Sequence, residues 1–255
     1  MLNSSTVLAR AIDTVRIHRV RRETRDGRAV WTKYRRRGMD GVIACGNVFL
    51  DRSRSRIRMF RDVAAWQWWE VASFGLLNGD AYGCGPLGPR GFWAECLPGV
   101  SLRELCRAGT IDTDAARAAG AELRRAHALS CAVRGVLWSH GDPHLGNVLY
   151  DAAAGRARLI DFETIHDATL PAAERHADDL LVFLLELLAT VDAPRWPALG
   201  MATLAAYDRP EPLEALRLRL RVPRGLELVL WRTRSAHTPL SELERRISQL
   251  RNALA

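Results

Sequence analysis

Between Ser139 and Glu163 the chain reads SHGDPHLGNVLYDAAAGRARLIDFE, and this stretch narrows what the whole molecule can become. Apolar residues recur on either side of Gly155, which predicts a hairpin with strands over Asn147 to Asp151 and Ala157 to Phe162. A hairpin brings the positions flanking its two strands together. Asp142 precedes the first strand, Asn147 opens it and Asp161 ends the second, so three oxygen-bearing side chains converge. Hard cations such as Mg²⁺ take oxygen ligands, commonly one or two carboxylates plus substrate phosphates. Asn147 and Asp161 would hold the metal, leaving Asp142 to meet a substrate hydroxyl.

Upstream, Thr14 to Glu23 alternates apolar and basic residues as an exposed strand does, Asp26-Gly27 is a tight-turn pair, and Ala29 to Tyr34 reads as the returning strand. From Met59 to Leu77 the period becomes helical, with Val63, Trp66, Glu70, Phe74 and Leu77 on one face. A turn-rich stretch leads to an apolar strand over Phe92 to Leu97, after which helices dominate. Asp114 is the expected cap of an alanine-rich helix to Leu129, and Ala177 to Ala189 reads as a buried helix. Ser241 to Glu244 has a capping-box pattern ahead of a Leu243, Ile247, Leu250, Leu254 stripe. The expected class is α+β, with a strand-rich part over 1–97, a helical part over 98–255 and a junction near Leu97 to Val100.

Charge sharpens this division. Of 37 basic side chains one alone is lysine, Lys33. Residues 1–65 carry a net +10 against a whole-chain +8, so the basic surface belongs to the first quarter and suits an anionic partner such as a membrane leaflet or nucleic acid. Five cysteines without a CxxC pair argue for reduced thiols and against structural zinc. No apolar run approaches the roughly 20 residues of a membrane span, and the first residues lack a signal-peptide pattern. A cytoplasmic protein is expected, held peripherally at the inner face of the membrane if its basic surface docks there.

His140-x-Asp142-x₄-Asn147, followed by Asp161-Phe162 after an apolar pair, resembles the catalytic loop and metal motif of the protein-kinase-like fold. The form HGDxHxGN with DFE is similar to the bacterial aminoglycoside and choline phosphotransferases and to lipopolysaccharide core kinases. That resemblance implies a bilobal α+β fold with a strand-rich N-lobe and a helical C-lobe. It also implies ATP and Mg²⁺, and transfer of the γ-phosphoryl to a hydroxyl, with Asp142 as base. It requires a phosphate-contacting lysine paired with a helix glutamate. Lys33 is the sole lysine, and Glu70 is the sole glutamate between Glu23 and Glu95. By the same analogy backbone groups of Glu95 and Leu97 bind adenine, and the Arg175 to Leu180 segment supplies an aspartate, Asp178 or Asp179, that buttresses the loop. His140 and His144 are supporting loop residues. No glycine precedes Gly27, so the usual phosphate-covering loop is absent or reshaped, and the arginine-laden stretch between Lys33 and Glu70 reads as an insertion or an extra hairpin.

The acceptor is open. The basic N-terminal quarter favours a lipopolysaccharide or other lipid-linked sugar over a polycationic aminoglycoside, and Trp68 beside Arg58 and Arg61 suits an interface. A protein Ser/Thr kinase and a nucleotide-binding pseudokinase are the neighbouring alternatives, with nucleic acid a less favoured partner. A distinct reading takes His140, Asp142 and His144 as the ligand triplet of a metallohydrolase.

Overall fold

The computed structural model describes residues 17–132, 134–235 and 238–254; Thr14 to Arg16 of the first expected strand lie outside them. Strands β1 (His18–Arg25) and β2 (Arg28–Arg35) form a hairpin in which Arg25 faces Arg28. Two residues remain for the turn, and both have positive φ, Asp26 at 50° and Gly27 at 76°. This turn matches the twist of paired strands, and it explains the Asp-Gly pair.

The arginine-laden stretch is not an extra hairpin. It forms helix α1 (Asp40–Leu50) and a short strand β3 (Ile57–Met59). Asn47 joins the two: its side-chain amide donates to the Met59 carbonyl at 2.8 Å and its oxygen accepts the Met59 N–H at 2.8 Å. Helix α2 (Val63–Asn78) begins four residues later than its periodicity suggested, because Asp62 caps it by accepting the Ala65 N–H at 2.6 Å. Trp66, Trp69, Glu70, Phe74 and Leu77 are buried along it, whereas Trp68 points outward and is 45% exposed.

Strands β4 (Cys84–Leu87) and β5 (Gly91–Glu95) complete an antiparallel sheet of order β1-β2-β5-β4. A two-residue strand β6 (Val100–Ser101) then leads into helices α3 (Leu102–Arg107) and α4 (Thr113–His127). The cap of α4 is Asp112, which accepts the Ala115 N–H at 2.8 Å; Asp114 lies inside the first turn. Short strands β7 (Ser130–Cys131) and β8 (Val136–Leu137) precede the hairpin of β9 (Val148–Asp151) and β10 (Arg156–Leu159). Strand β11 (Thr164–His166) follows, then helices α5 (Ala172–Thr190), α6 (Trp196–Tyr207), α7 (Pro210–Arg219), α8 (Gly225–Arg234) and α9 (Leu240–Ala253).

Helix α5 is the centre of the second half, with Leu180 to Leu185 all buried. Helix α4 meets α6 through a face of small residues. At Gly120 an added Cβ would stand 2.1 Å from the Thr203 carbonyl oxygen, so only glycine permits this approach. The capping box expected at Ser241 to Glu244 does not form: α9 starts at Leu240 after Pro239, and Glu242 instead holds Arg246 at 2.5 Å. Arg246 in turn donates to the carbonyls of Leu188 and Val191 at 2.5 and 2.7 Å, placing a cation at the α5 C-terminus. The Leu243, Ile247, Leu250 stripe packs inward as expected.

One connection crosses between the halves. Strand β3 pairs antiparallel with β11, Met59 opposite Thr164 and Ile57 opposite His166. Just before it, Ser55 donates to buried Asp178 at 2.6 Å and the Arg54 N–H donates to Glu227 of α8 at 3.0 Å. The stretch that looked like an insertion is thus a strap from β2 to the segment after Asp161. No helix among the described residues is long and apolar enough to cross a membrane.

Candidate functional site

Alternation along β2 turns Lys33 inward, where its side chain is 9% exposed. Glu70 reaches it from α2 at 2.6 Å, Glu163 from the segment before β11 at 3.2 Å, and Asp161 also makes a direct contact. Glu70 is fixed independently: its carboxylate accepts the Phe162 N–H at 3.1 Å and the Trp66 indole N–H at 3.2 Å. Burial opposes a charged ammonium, yet the carboxylates of Asp161, Glu70 and Glu163 outweigh it and hold the Lys33 pKa well above its ordinary value. Asp161 sits at φ 67°, a left-handed conformation that a non-glycine residue keeps only where its surroundings impose it.

The loop from His140 to Asn147 is tied down from several directions. His140 is buried, donates from Nε2 to the Ile160 carbonyl at 3.0 Å and accepts the Asp142 N–H on Nδ1 at 3.3 Å. Asn147 donates to the Asp142 carbonyl at 3.0 Å, and its own carbonyl accepts the Ile160 N–H at 3.0 Å. These bonds tie Asp142 to Asn147 and Asn147 to Ile160, the neighbour of Asp161. The half-buried Asp142 side chain makes no hydrogen bond or ion pair among the described residues, so its carboxylate is available to a ligand. Asn147 and Asp161 offer an amide oxygen and a carboxylate, the donor chemistry that suits Mg²⁺ when phosphates complete its shell.

The choice between the adjacent aspartates is settled by geometry. Asp179 accepts the backbone N–H groups of His140 and Gly141, each at 2.8 Å, and the His127 Nε2–H at 3.0 Å. Asp178 faces elsewhere, toward Ser55, His166 and Arg219. Glu186 also serves the loop, accepting the Leu145 N–H at 2.6 Å while pairing with Arg103 at 2.5 Å. It is the one carboxylate interrupting the apolar run from Leu180 to Ala189, and that interruption is its signal in the sequence. His144 accepts the Gly146 N–H at 3.1 Å and stands 3.1 Å from Arg103.

The metallohydrolase triplet does not form. Both ring nitrogens of His140 are occupied, and among the described residues no group of three His, Cys, Asp or Glu side chains is arranged to hold a metal. Glu163 and His18 are the residues sequence reasoning missed. His18 Nδ1 lies 2.7 Å from Glu163, and its ring stacks on Trp66 at 4.6 Å. At the junction, Glu95 donates its N–H to the Gly83 carbonyl at 2.9 Å and pairs its side chain with Arg28 at 2.6 Å. The Leu97 N–H has no acceptor among the described residues.

Behind the loop, His127 and His176 stack with ring centroids 4.0 Å apart and 6° between planes. Burial pushes both below the ordinary histidine pKa, His176 down to about 3, and neighbouring His127 adds to that shift. His176 is therefore neutral in the fold and takes up its proton on unfolding, and His127 is shifted in the same direction. The expected result is full stability above about pH 6.5, then a loss of up to about 1.4 kcal/mol per pH unit from His176 on acidification. Urea midpoints at pH 7.5, 6.5 and 5.5 check this; a flat profile would show that the pair titrates normally.

The sheet, the inward lysine with its helix glutamate, the loop and the Asp161 hairpin together make a mixed α+β arrangement, strand-rich in its first part and helical in its second. No family model and no curated protein matches the chain. Among solved structures it is similar to APH(2")-IIa in a ternary complex with streptomycin and ATP, at 14% identity and a TM-score of 0.44, covering 98% of this chain and 97% of that one. It is also similar to Rv3197 of Mycobacterium tuberculosis bound to erythromycin, at 20% identity and a TM-score of 0.39, covering 74% of this chain. This chain spans about half of Rv3197, 51% of its length.

Proposed function

We propose that this protein is an ATP-dependent phosphotransferase that moves the γ-phosphoryl group to a hydroxyl, with its nucleotide between an N-lobe of residues 1–97 and a C-lobe of residues 98–255. The observation that carries this reading is Lys33, the chain's single lysine, held between Glu70 and Asp161 beside the Asp142 to Asn147 loop. In this reading Lys33 contacts the phosphates, the backbone of Glu95 and Leu97 meets the base, and Asn147 and Asp161 hold Mg²⁺. The cation, when bound, neutralises charge on the transferring phosphoryl group. Asp142 orients the acceptor hydroxyl and takes its proton as the new P–O bond forms and ADP leaves. Asp179, His140 and His144 keep the loop in register for this step.

The test is Mg²⁺-dependent transfer of ³²P from labelled ATP to lysate fractions, wild type against Lys33→Arg. A guanidinium is a planar fork where the site surrounds a compact ammonium. Lys33→Arg preserves every charge and is expected to lower transfer about 10²-fold, the scale of one lost transition-state donor. Equal transfer by both proteins would reject the reading.

A lipid-linked or lipopolysaccharide sugar is the acceptor class we favour. Arg19, Arg21, Arg22 and Arg25 are all exposed on the edge strand β1, a surface suited to an anionic leaflet. Binding to anionic liposomes that weakens with salt is expected in a sedimentation assay. Equal binding to neutral liposomes, or none, would end this assignment.

A further inference from the structure

An ammonium group has three N–H donors, and Lys33 has three carboxylate neighbours: Glu70, Asp161 and Glu163. Glu70 and Asp161 take two of these donors in hydrogen bonds and Glu163 is ion-paired to the ammonium at 3.2 Å, so all three carboxylates compete with an arriving phosphate. The three carboxylates and the ammonium also sum to a net charge of −2, a setting that repels a polyphosphate. One of these contacts must give way for Lys33 to bind a nucleotide.

The three differ in freedom. Glu70 is locked by the Phe162 N–H and the Trp66 indole, and its side chain is 1% exposed. Asp161 is the carboxylate that a cation would draw away. Glu163 is held on Lys33 from the other side, because its Oε2 lies 2.7 Å from His18 Nδ1 and 3.2 Å from the Lys33 ammonium. His18 is itself immobilised: its side chain is 6% exposed and its ring stacks on Trp66. A carboxylate facing this ring makes Nδ1 the protonated nitrogen, so His18 donates and Glu163 accepts.

We propose that Glu163, aimed by His18, is a latch on Lys33 that excludes metal-free nucleotide, so that phosphates reach the ammonium only together with a divalent cation. The proposal rests on the phosphotransferase reading and deepens it. With a divalent cation bound, Asp161 would turn to it, and one Lys33 donor would then be open to a phosphate. Glu163 then stays with His18 and Lys33. At the third place of the DFE motif a glycine would leave that donor open at all times.

The experiment is equilibrium binding of ATP by calorimetry, in excess Mg²⁺ and in EDTA, for wild type, Glu163→Ala, His18→Ala and His18→Asn. Wild type is expected to bind at least about 100-fold more weakly in EDTA. Glu163→Ala is expected to raise the EDTA affinity about tenfold, a modest fraction of one unit charge at this separation, while the Mg²⁺ affinity changes less than about threefold. His18→Ala moves in the same direction. His18→Asn, whose amide still donates to Glu163, stays near wild type. General damage to the fold would weaken both affinities, so the gain in EDTA is the distinguishing sign. Unchanged or weaker metal-free binding in Glu163→Ala overturns the latch, and wild-type behaviour of His18→Ala removes His18 from it. If wild type binds no ATP even with Mg²⁺, the phosphotransferase reading fails and the latch fails with it.

Discussion

Asp142→Asn is expected to lower phosphoryl transfer by about 10²–10⁴-fold while leaving ATP affinity and the unfolding midpoint unchanged. The size of the effect follows from what the side chain does not do. Among the described residues the carboxylate has no hydrogen-bond or ion-pair partner, so an isosteric amide breaks no native contact. The loop is shaped through the Asp142 backbone, whose carbonyl accepts from Asn147 at 3.0 Å and whose N–H donates to His140 at 3.3 Å. Both bonds survive the substitution. In the proposed reaction, what disappears is the ability to accept a proton from the acceptor hydroxyl. Single-turnover transfer, calorimetric ATP binding and urea denaturation on the same two proteins separate these quantities. Transfer within threefold of wild type would remove Asp142 from the base role.

The second large effect falls on Asp179, and there stability leads. Asp179 is fully buried and accepts three N–H groups, from His140, Gly141 and His127. Burial alone would raise its pKa, but the His127 hydrogen bond and the surrounding histidines pull it down to about 2, so the carboxylate is ionised at neutral pH. An asparagine presents one oxygen and one NH₂ to the same three donors. At least one N–H would face another donor, and all three would lose a charged acceptor. Asp179→Asn is expected to cost about 3–5 kcal/mol, the scale of two hydrogen bonds to a buried charge lost together. Because two of the donors are loop backbone, transfer should fall with it even at temperatures where the fold persists. Chemical denaturation gives the stability change, and a loss below about 1 kcal/mol would show that the loop is held by its remaining bonds. Asp178→Asn is the informative companion, since that carboxylate faces the strap and α7 and touches no loop amide.

The legible parts of this molecule were those written in local pattern or in scarcity. The Asp-Gly turn, the Val63 to Leu77 face and the hairpin around Gly155 follow from period and turn chemistry. Lys33 and Glu70 stood out because each was the single candidate of its kind. Other features depend on contacts that no local window contains. Helix α1 carries Gly41 and Gly46 among arginine-rich flanks and has poor intrinsic propensity, but Asn47 bonds it to β3. Asp178 and Asp179 are adjacent on one helix and chemically identical, so only the packing of α5 distinguishes them. Glu163 was visible as the last residue of the DFE motif, yet its role needed His18 and Lys33, which arrive from the first hairpin. The misplaced caps at Asp114 and Ser241 are errors of the commonest kind, because several polar residues near a helix start compete and tertiary contacts choose among them.

The strap from β2 to β11 bears on how such a chain can be divided or recombined. Cut near residue 97, the first piece would keep β3 with an open edge, and the second would keep Asp178 without the Ser55 hydroxyl. Each half carries a debt that the other settles, in a ladder of three residue pairs and in a buried polar contact. Neither half is a portable cassette. The strand-rich part and the helical part are to be exchanged in any chimaera as one cooperative unit.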